Sequence, residues 1–182
     1  MPLTIALAAT LQLALAALFL VIPVTVWFTG AAAQRAAEAE VAAQGHPPEV
    51  LARHGIRFEE ERWEFGFALS IGALLTALAS LTLAAHGGAR LASWIAEPLI
   101  FLVVGFITAG QVFAVKYTEA AFKRSEHPAA RTVDAKAVIA AANSGFPRWL
   151  RALVLVRFPL ATLGSLLVVA LLATPSAAAY FG

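Results

Sequence analysis

Four apolar runs partition the chain, at residues 3–28, 65–85, 91–115 and 147–173. A helix needs roughly 20 mostly apolar residues to cross the hydrocarbon core of a bilayer. Each run meets that length. The pattern therefore predicts an all-α integral membrane protein, a four-transmembrane-helix bundle forming a single domain over residues 1–182. The connections are unequal. Residues 30–64 and 116–146 are long and polar, whereas residues 86–90 (His86, Gly87, Gly88, Ala89, Arg90) make a tight turn.

Local signals refine these elements. No Lys or Arg precedes Arg35, and the first run exceeds the apolar core of a secretory signal, so it reads as a retained span with a kink at Pro23. Residues 31–44 are rich in Ala and Glu and extend that helix into water as far as Gly45. A short helix is expected at residues 48–54 and an amphipathic one at 132–143. His46-Pro47 and His127-Pro128 act as breakers, and a short tail follows residue 173.

Charge adds orientation. Of the 13 Lys and Arg residues, 12 fall in or beside the first and third connections, and only Arg90 lies at the opposite end. The positive-inside rule then makes both long loops cytoplasmic and both termini external (N-out/C-out), in a multi-pass protein of the cell membrane. Trp27, Trp63, Tyr117 and Trp149 fall at the inner ends of the spans, and Trp94 and Tyr180 at the outer ends, as an aromatic belt requires. Residues 35–64 carry net charge −3 and residues 116–157 carry net charge +5. Opposite signs favour docking of one on the other; two separately solvated faces are the alternative.

Composition narrows the chemistry. Hydrophobic residues make up 60% of the chain, with mean hydropathy +0.80. The net charge is only +2, so a pI of 9.4 gives no reason to expect a nucleic-acid partner. The absence of cysteine excludes disulfides and thiolate chemistry. No nucleotide-binding or hydrolase motif occurs, and no cofactor or metal is expected. His46 and His127 could meet only if the two loops come together, and two histidines alone make a weak metal site.

The halves of the chain echo each other. Phe19-Leu-Val-Ile answers Phe101-Leu-Val-Val, and Arg62-Trp63 answers Arg148-Trp149. Phe67-Ala-Leu-Ser-Ile-Gly-Ala-Leu-Leu answers Phe158-Pro-Leu-Ala-Thr-Leu-Gly-Ser-Leu-Leu with one residue inserted. Two tandem hairpins, a parallel repeat, would produce this order. Small-residue stripes at three-to-four spacing mark helix contacts: Ser70, Ala73, Ala77 and Ser80; Gly105 and Ala109; Ala161 and Ser165.

Charged groups inside the spans are the candidate sites, because burying a charge in lipid is costly. Arg157 lies inside the fourth run. Glu64, Gln111, Lys116 and Glu119 lie at comparable depth, and with Arg157 they define a candidate ligand-binding pocket in the inner leaflet. Glu64 is the expected partner of Arg157; snorkelling of Arg157 to the headgroups is the alternative. Glu97, beside Pro98, is a candidate ion-path residue, or else a local partner of Arg90.

These readings support three functions. The first is a small integral membrane subunit or scaffold. It would contact membrane lipids, pack with other membrane helices or a second copy, and present a cytoplasmic face. The second is a membrane-embedded enzyme or binder acting on a lipid-soluble small molecule in the inner-leaflet pocket. The third is a small transporter. The pattern assigns no catalytic residue.

Overall fold

A computed structural model describes residues 1–126 and 128–182. The chain is all-helical, with no strand among the described residues. Four helical stretches are long and apolar enough to cross a membrane: Leu3–Ala43, Arg62–Leu83, Gly87–Val112 and Leu150–Leu172.

The first, α1 (Leu3–Ala43), runs unbroken through Pro23 and continues well past its apolar run. Ala, the best helix former, carries it on. It ends in a Schellman motif: Gly45 takes φ +81°, its N–H reaches the Ala42 carbonyl, and the His46 N–H reaches that of Val41. A short α2 (Glu49–Arg53) follows. Glu61 then caps α3 (Arg62–Leu83) through a reciprocal capping box with Glu64.

The tight turn expected at residues 86–90 falls at residues 84–86 instead. The left-handed position is Ala85, at φ +53°, while Gly87 and Gly88 open the next helix. His86 caps that helix, its Nδ1 accepting from the Gly88 N–H.

The third and fourth spans are each interrupted after a proline. Helix α4 (Gly87–Leu99) contains Pro98 and passes into a π-helical turn, Ile100–Val104, before α5 (Gly105–Val112). Helix α6 (Ala114–Lys123) leads out of the span, a 3-10 turn covers Pro128–Thr132, and α7 (Ala135–Ser144) is capped by the Asp134 carboxylate. In the fourth span α8 (Leu150–Pro159) ends on Pro159, followed by a second π turn, Leu160–Gly164, and α9 (Ser165–Leu172). Proline lacks an N–H and its ring crowds the carbonyl four residues back, so each proline breaks the hydrogen-bond ladder, and a π turn follows it in both spans. The two π turns pack on each other across the bundle. The expected tail is a helix, α10 (Pro175–Phe181), and Tyr180 donates to the Leu83 carbonyl at 2.8 Å.

Helix α1 is the axis of the structure. It packs on α3 along one side and on α8 and α9 along another, while α4 packs on α9 and α5 on α8. Helices α3 and α4 meet mainly near their shared turn. Leu15, Phe19, Leu75, Ile100, Val104 and Ala161 form the mid-bundle core.

The stripe of small residues on α3 lies on the opposite side from this packing. Ser70, Ala73, Ala77 and Ser80 are exposed. Gly72, Leu75, Ala79 and Thr82 face the bundle instead, and a Cβ on Gly72 would sit 3.4 Å from both the Ala16 carbonyl oxygen and the Phe19 Cβ. The other two stripes do pack inward: Gly105, Ala161 and Ser165 are buried.

The two long loops dock on each other, through apolar contact. Val50, Leu51, Phe122, Val133 and Val138 close around Ala37 and Val41 of α1. The Asp134 N–H donates to Gln44 Oε1 at 2.8 Å. Among the described residues, the ion pairs (Arg57 with Glu61 and Glu64, Lys123 with Glu119) stay within one loop or its adjoining helix. Opposite loop charge is therefore not what joins them. Close approach demands glycine at Gly145, where a Cβ would fall 2.5 Å from the Ala33 backbone.

Candidate functional site

Two polar clusters are buried in the bundle, one nearer the loops and one nearer the α3–α4 turn.

Nearer the loops, Arg157 is 4% exposed, so it does not snorkel. It follows seven residues after the start of α8, about 10 Å along the axis at 1.5 Å per residue. Its Nη2 donates to Gln111 Oε1 on α5, and its guanidinium lies 5.3 Å from the Phe19 ring centroid on α1. Its Nε is buried and has no hydrogen-bond partner. Among the described residues no carboxylate bonds to it. Glu64, the partner expected from sequence, is held by Arg57 Nη2 at 2.9 Å, and the capping box commits its other oxygen to the Glu61 N–H.

The acid that does act on Arg157 is Glu60, in the segment leading into α3. Burial, then the neighbouring Glu64 charge, push its carboxyl up to about 7, against an opposing pull from Arg157. Its Oε2 is buried without a hydrogen-bond partner. Lys116 lies on α6, just past the loop end of the α5–α8 seam. Its Nζ sits 5.7 Å from the Phe113 centroid, and Phe113 meets Phe158 edge to face at 6.3 Å. Glu119 is apart from this group, facing Lys123 at 3.9 Å.

Nearer the α3–α4 turn, Glu97 is 1% exposed. Gln12 Nε2 donates to Glu97 Oε1 at 2.9 Å and to Ser93 Oγ at 3.2 Å. Ser165 lines the same crevice, which is too tight to hold a water molecule. Arg90, the local partner expected for Glu97, is turned away: its Nε donates to the Leu172 carbonyl at 2.8 Å and its guanidinium stacks on Trp94.

The described histidines make local structural contacts. His46 Nε2 lies 3.1 Å from Thr132 Oγ1, and His54 Nδ1 lies 2.7 Å from the Val50 carbonyl oxygen. His127 lies outside the described residues, and with it the question of whether His46 meets it. Among the described residues no three His, Asp or Glu side chains group as a metal site would need.

The structure thus joins Arg157 to Gln111, places Lys116 just past the loop end of the α5–α8 seam, and separates Glu64 and Glu119 from them. Sequence reasoning missed Gln12, Phe19, Ser93 and Glu60. Gln12 had a usable signal, as the one amide side chain in residues 3–28. A hydrogen-bonding side chain there is a natural interhelical partner.

The chain matches no family model, no curated protein and no solved structure. Its fold defines its class: an all-helical chain with four helices long and apolar enough to cross a membrane.

Proposed function

We propose that this chain is a multi-pass membrane subunit that associates with another membrane helix through the outer face of α3 and presents its docked loops to the cytoplasm. The observation that carries the reading is the outward stripe of Ser70, Ala73, Ala77 and Ser80. The chain's own packing does not use these positions. In lipid, small residues at this spacing let a second backbone come close. Ser70 and Ser80 already bond to the carbonyls of Gly66 and Thr76, so the face meets lipid or a helix without unmet polar groups. The closed crevice at Glu97 also supports a packing role for that cluster over a conducting one.

The orientation rests on the 12-to-1 distribution of Lys and Arg. We read the chain as two tandem hairpins, α1 with α3 and α4–α5 with α8–α9. The one-residue insertion in the second copy falls at the π turn Leu160–Gly164, which is how a helix absorbs an extra residue.

Two substitutions on opposite faces of one turn of α3 test the subunit reading. Ala79→Leu, on the buried face, should lower thermal stability by about 1–3 kcal/mol through overpacking. Ala77→Leu should leave stability intact and weaken co-purification of the partner or second copy. An Ala77→Leu protein with unchanged assembly sinks the reading. Topology is tested separately, since the chain has no cysteine of its own. Gly87→Cys and Ala179→Cys should react with an impermeant external reagent in intact cells, and Ala43→Cys and Ala52→Cys should not.

A further inference from the structure

Arg157 is a cation buried among apolar helices whose bonded partner is a neutral amide and whose Nε–H is unmet. The amide belongs to Gln111, which is exposed. One side chain therefore separates the guanidinium from the outer surface of the α5–α8 seam. Just past the loop end of that seam lies a second cation, the exposed Lys116, beside the Phe113 and Phe158 rings. A buried guanidinium with a free donor, an amide, a surface ammonium and two aromatic rings suit an anion attached to an apolar body. Basic pockets between membrane helices at the cytoplasmic end take anionic lipid head groups.

We infer that the loop end of the α5–α8 seam is a binding site for the phosphate of an anionic phospholipid. Arg157 and Lys116 meet its charge, and Gln111 is the side chain that moves to admit it. The inference rests on the reading that the four helices span a membrane with the loops on the cytoplasmic side. The half-buried Glu60, in the segment leading into α3, acts electrostatically on Arg157. Among the described residues, the charged groups that act on Glu60 are Glu64 on α3 and Arg157 on α8, while Arg57 is tied to Glu61 and Glu64. A neutral Glu60 leaves Arg157 free for phosphate; an ionised Glu60 competes for it. The switch falls near pH 7, so lipid binding should weaken as the pH rises through neutrality.

The test uses the full chain in mild detergent, with retention of labelled phosphatidylglycerol compared with labelled phosphatidylcholine. The wild type should prefer the anionic lipid. Lys116→Ala, an exposed change that leaves the fold intact, should cut that preference about fivefold, the effect of one basic residue near the surface. Arg157→Gln should cut it further, and Glu60→Gln should remove the decline in retention above neutral pH. Equal retention of the two lipids by the wild type overturns the site, as does a preference unchanged in both Lys116→Ala and Arg157→Gln. A Glu60→Gln protein that still loses lipid as the pH rises overturns the role of Glu60. Inorganic phosphate is the second probe: it should not displace the lipid, and a protein that binds phosphate without binding lipid overturns the lipid assignment. Carbonate-resistant membrane association is scored in parallel. An inserted protein with no lipid preference rejects the site and leaves the subunit reading standing.

Discussion

Glu97 and Arg157 are both buried among apolar helices, but Glu97 is enclosed by partners from other spans while Arg157 lies one side chain from the surface. Glu97 receives its hydrogen bond from Gln12 on α1, and Ser93 and Ser165 close the spot. Arg157 is reached from α5 by the exposed Gln111 and keeps an unmet donor. The first arrangement ties α1 to α4 through side-chain hydrogen bonds, with Ser165 of α9 lining the same crevice. The second leaves part of the charge for something else to meet. Depth is not what separates them. What differs is whether the hydrogen-bonding partner is itself buried.

Three measurements break or sharpen this contrast. The largest effect belongs to Gln12→Leu, which leaves the Glu97 carboxyl buried without its donor. An unsatisfied buried acceptor costs about 1–3 kcal/mol, more when charged, and the loss should appear as a lower thermal midpoint in detergent. The double change Gln12→Leu with Glu97→Leu should recover most of it, because removing both partners is close to neutral. Unchanged stability in Gln12→Leu would show that Glu97 is not held by α1.

Arg157→Met should cost less, staying within about 1 kcal/mol of wild type. Replacing a buried ionic group by an apolar side chain of similar size is often neutral or stabilising, and the exposed Gln111 left behind returns to other donors. A loss as large as that of Gln12→Leu would place both charges in the same structural role.

The smallest effect is a pH dependence. Glu60 titrates near 4.5 when unfolded and is pushed up to about 7 in the fold. The folded chain therefore holds that proton more tightly. The stability this contributes is fully present below about pH 4.5 and is lost as the pH rises through about 7. Glu60 is half-buried, so solvent screening keeps the effect modest. Glu60→Gln should flatten the thermal midpoint across that window. An equal slope in the variant would assign the titration to another group.

Much of the architecture was legible from hydropathy. The four long apolar helices, the continuation of α1 past its apolar run to Ala43, the short helix after Pro48 and the amphipathic α7 all follow from run length, Ala content and breakers. These are local properties that a window of neighbouring residues determines. The tight turn expected at residues 86–90 falls earlier, at residues 84–86, where Ala85 is the left-handed residue and Gly87 already opens α4.

The candidate site was half legible. Arg157, Gln111 and Lys116 were chosen because a charge or amide inside an apolar run is costly wherever the helix points. Their grouping needed only similar depth, which residue counting supplies. The partners were not legible. Glu64 was expected at Arg157 and belongs to Arg57, because the capping box at Glu61 turns it toward its own loop. Arg90 was expected at Glu97 and instead reaches a carbonyl on the fourth span.

By itself, then, the sequence determined which segments are helical, how long they are, and which side chains are too polar to ignore. Only the tertiary structure decided which face of each helix looks inward. The small stripe of α3 shows why. A soluble helix marks its outer face with polar residues, so its rotation can be read from the pattern. A helix in lipid is apolar all round, and its rotation is set by contacts with helices far away in sequence. Gly72 and Ala79 face α1, and Ala73 and Ala77 do not, because of how α1 meets α3 at Ala16 and Phe19. No property of α3 read alone distinguishes the two sets.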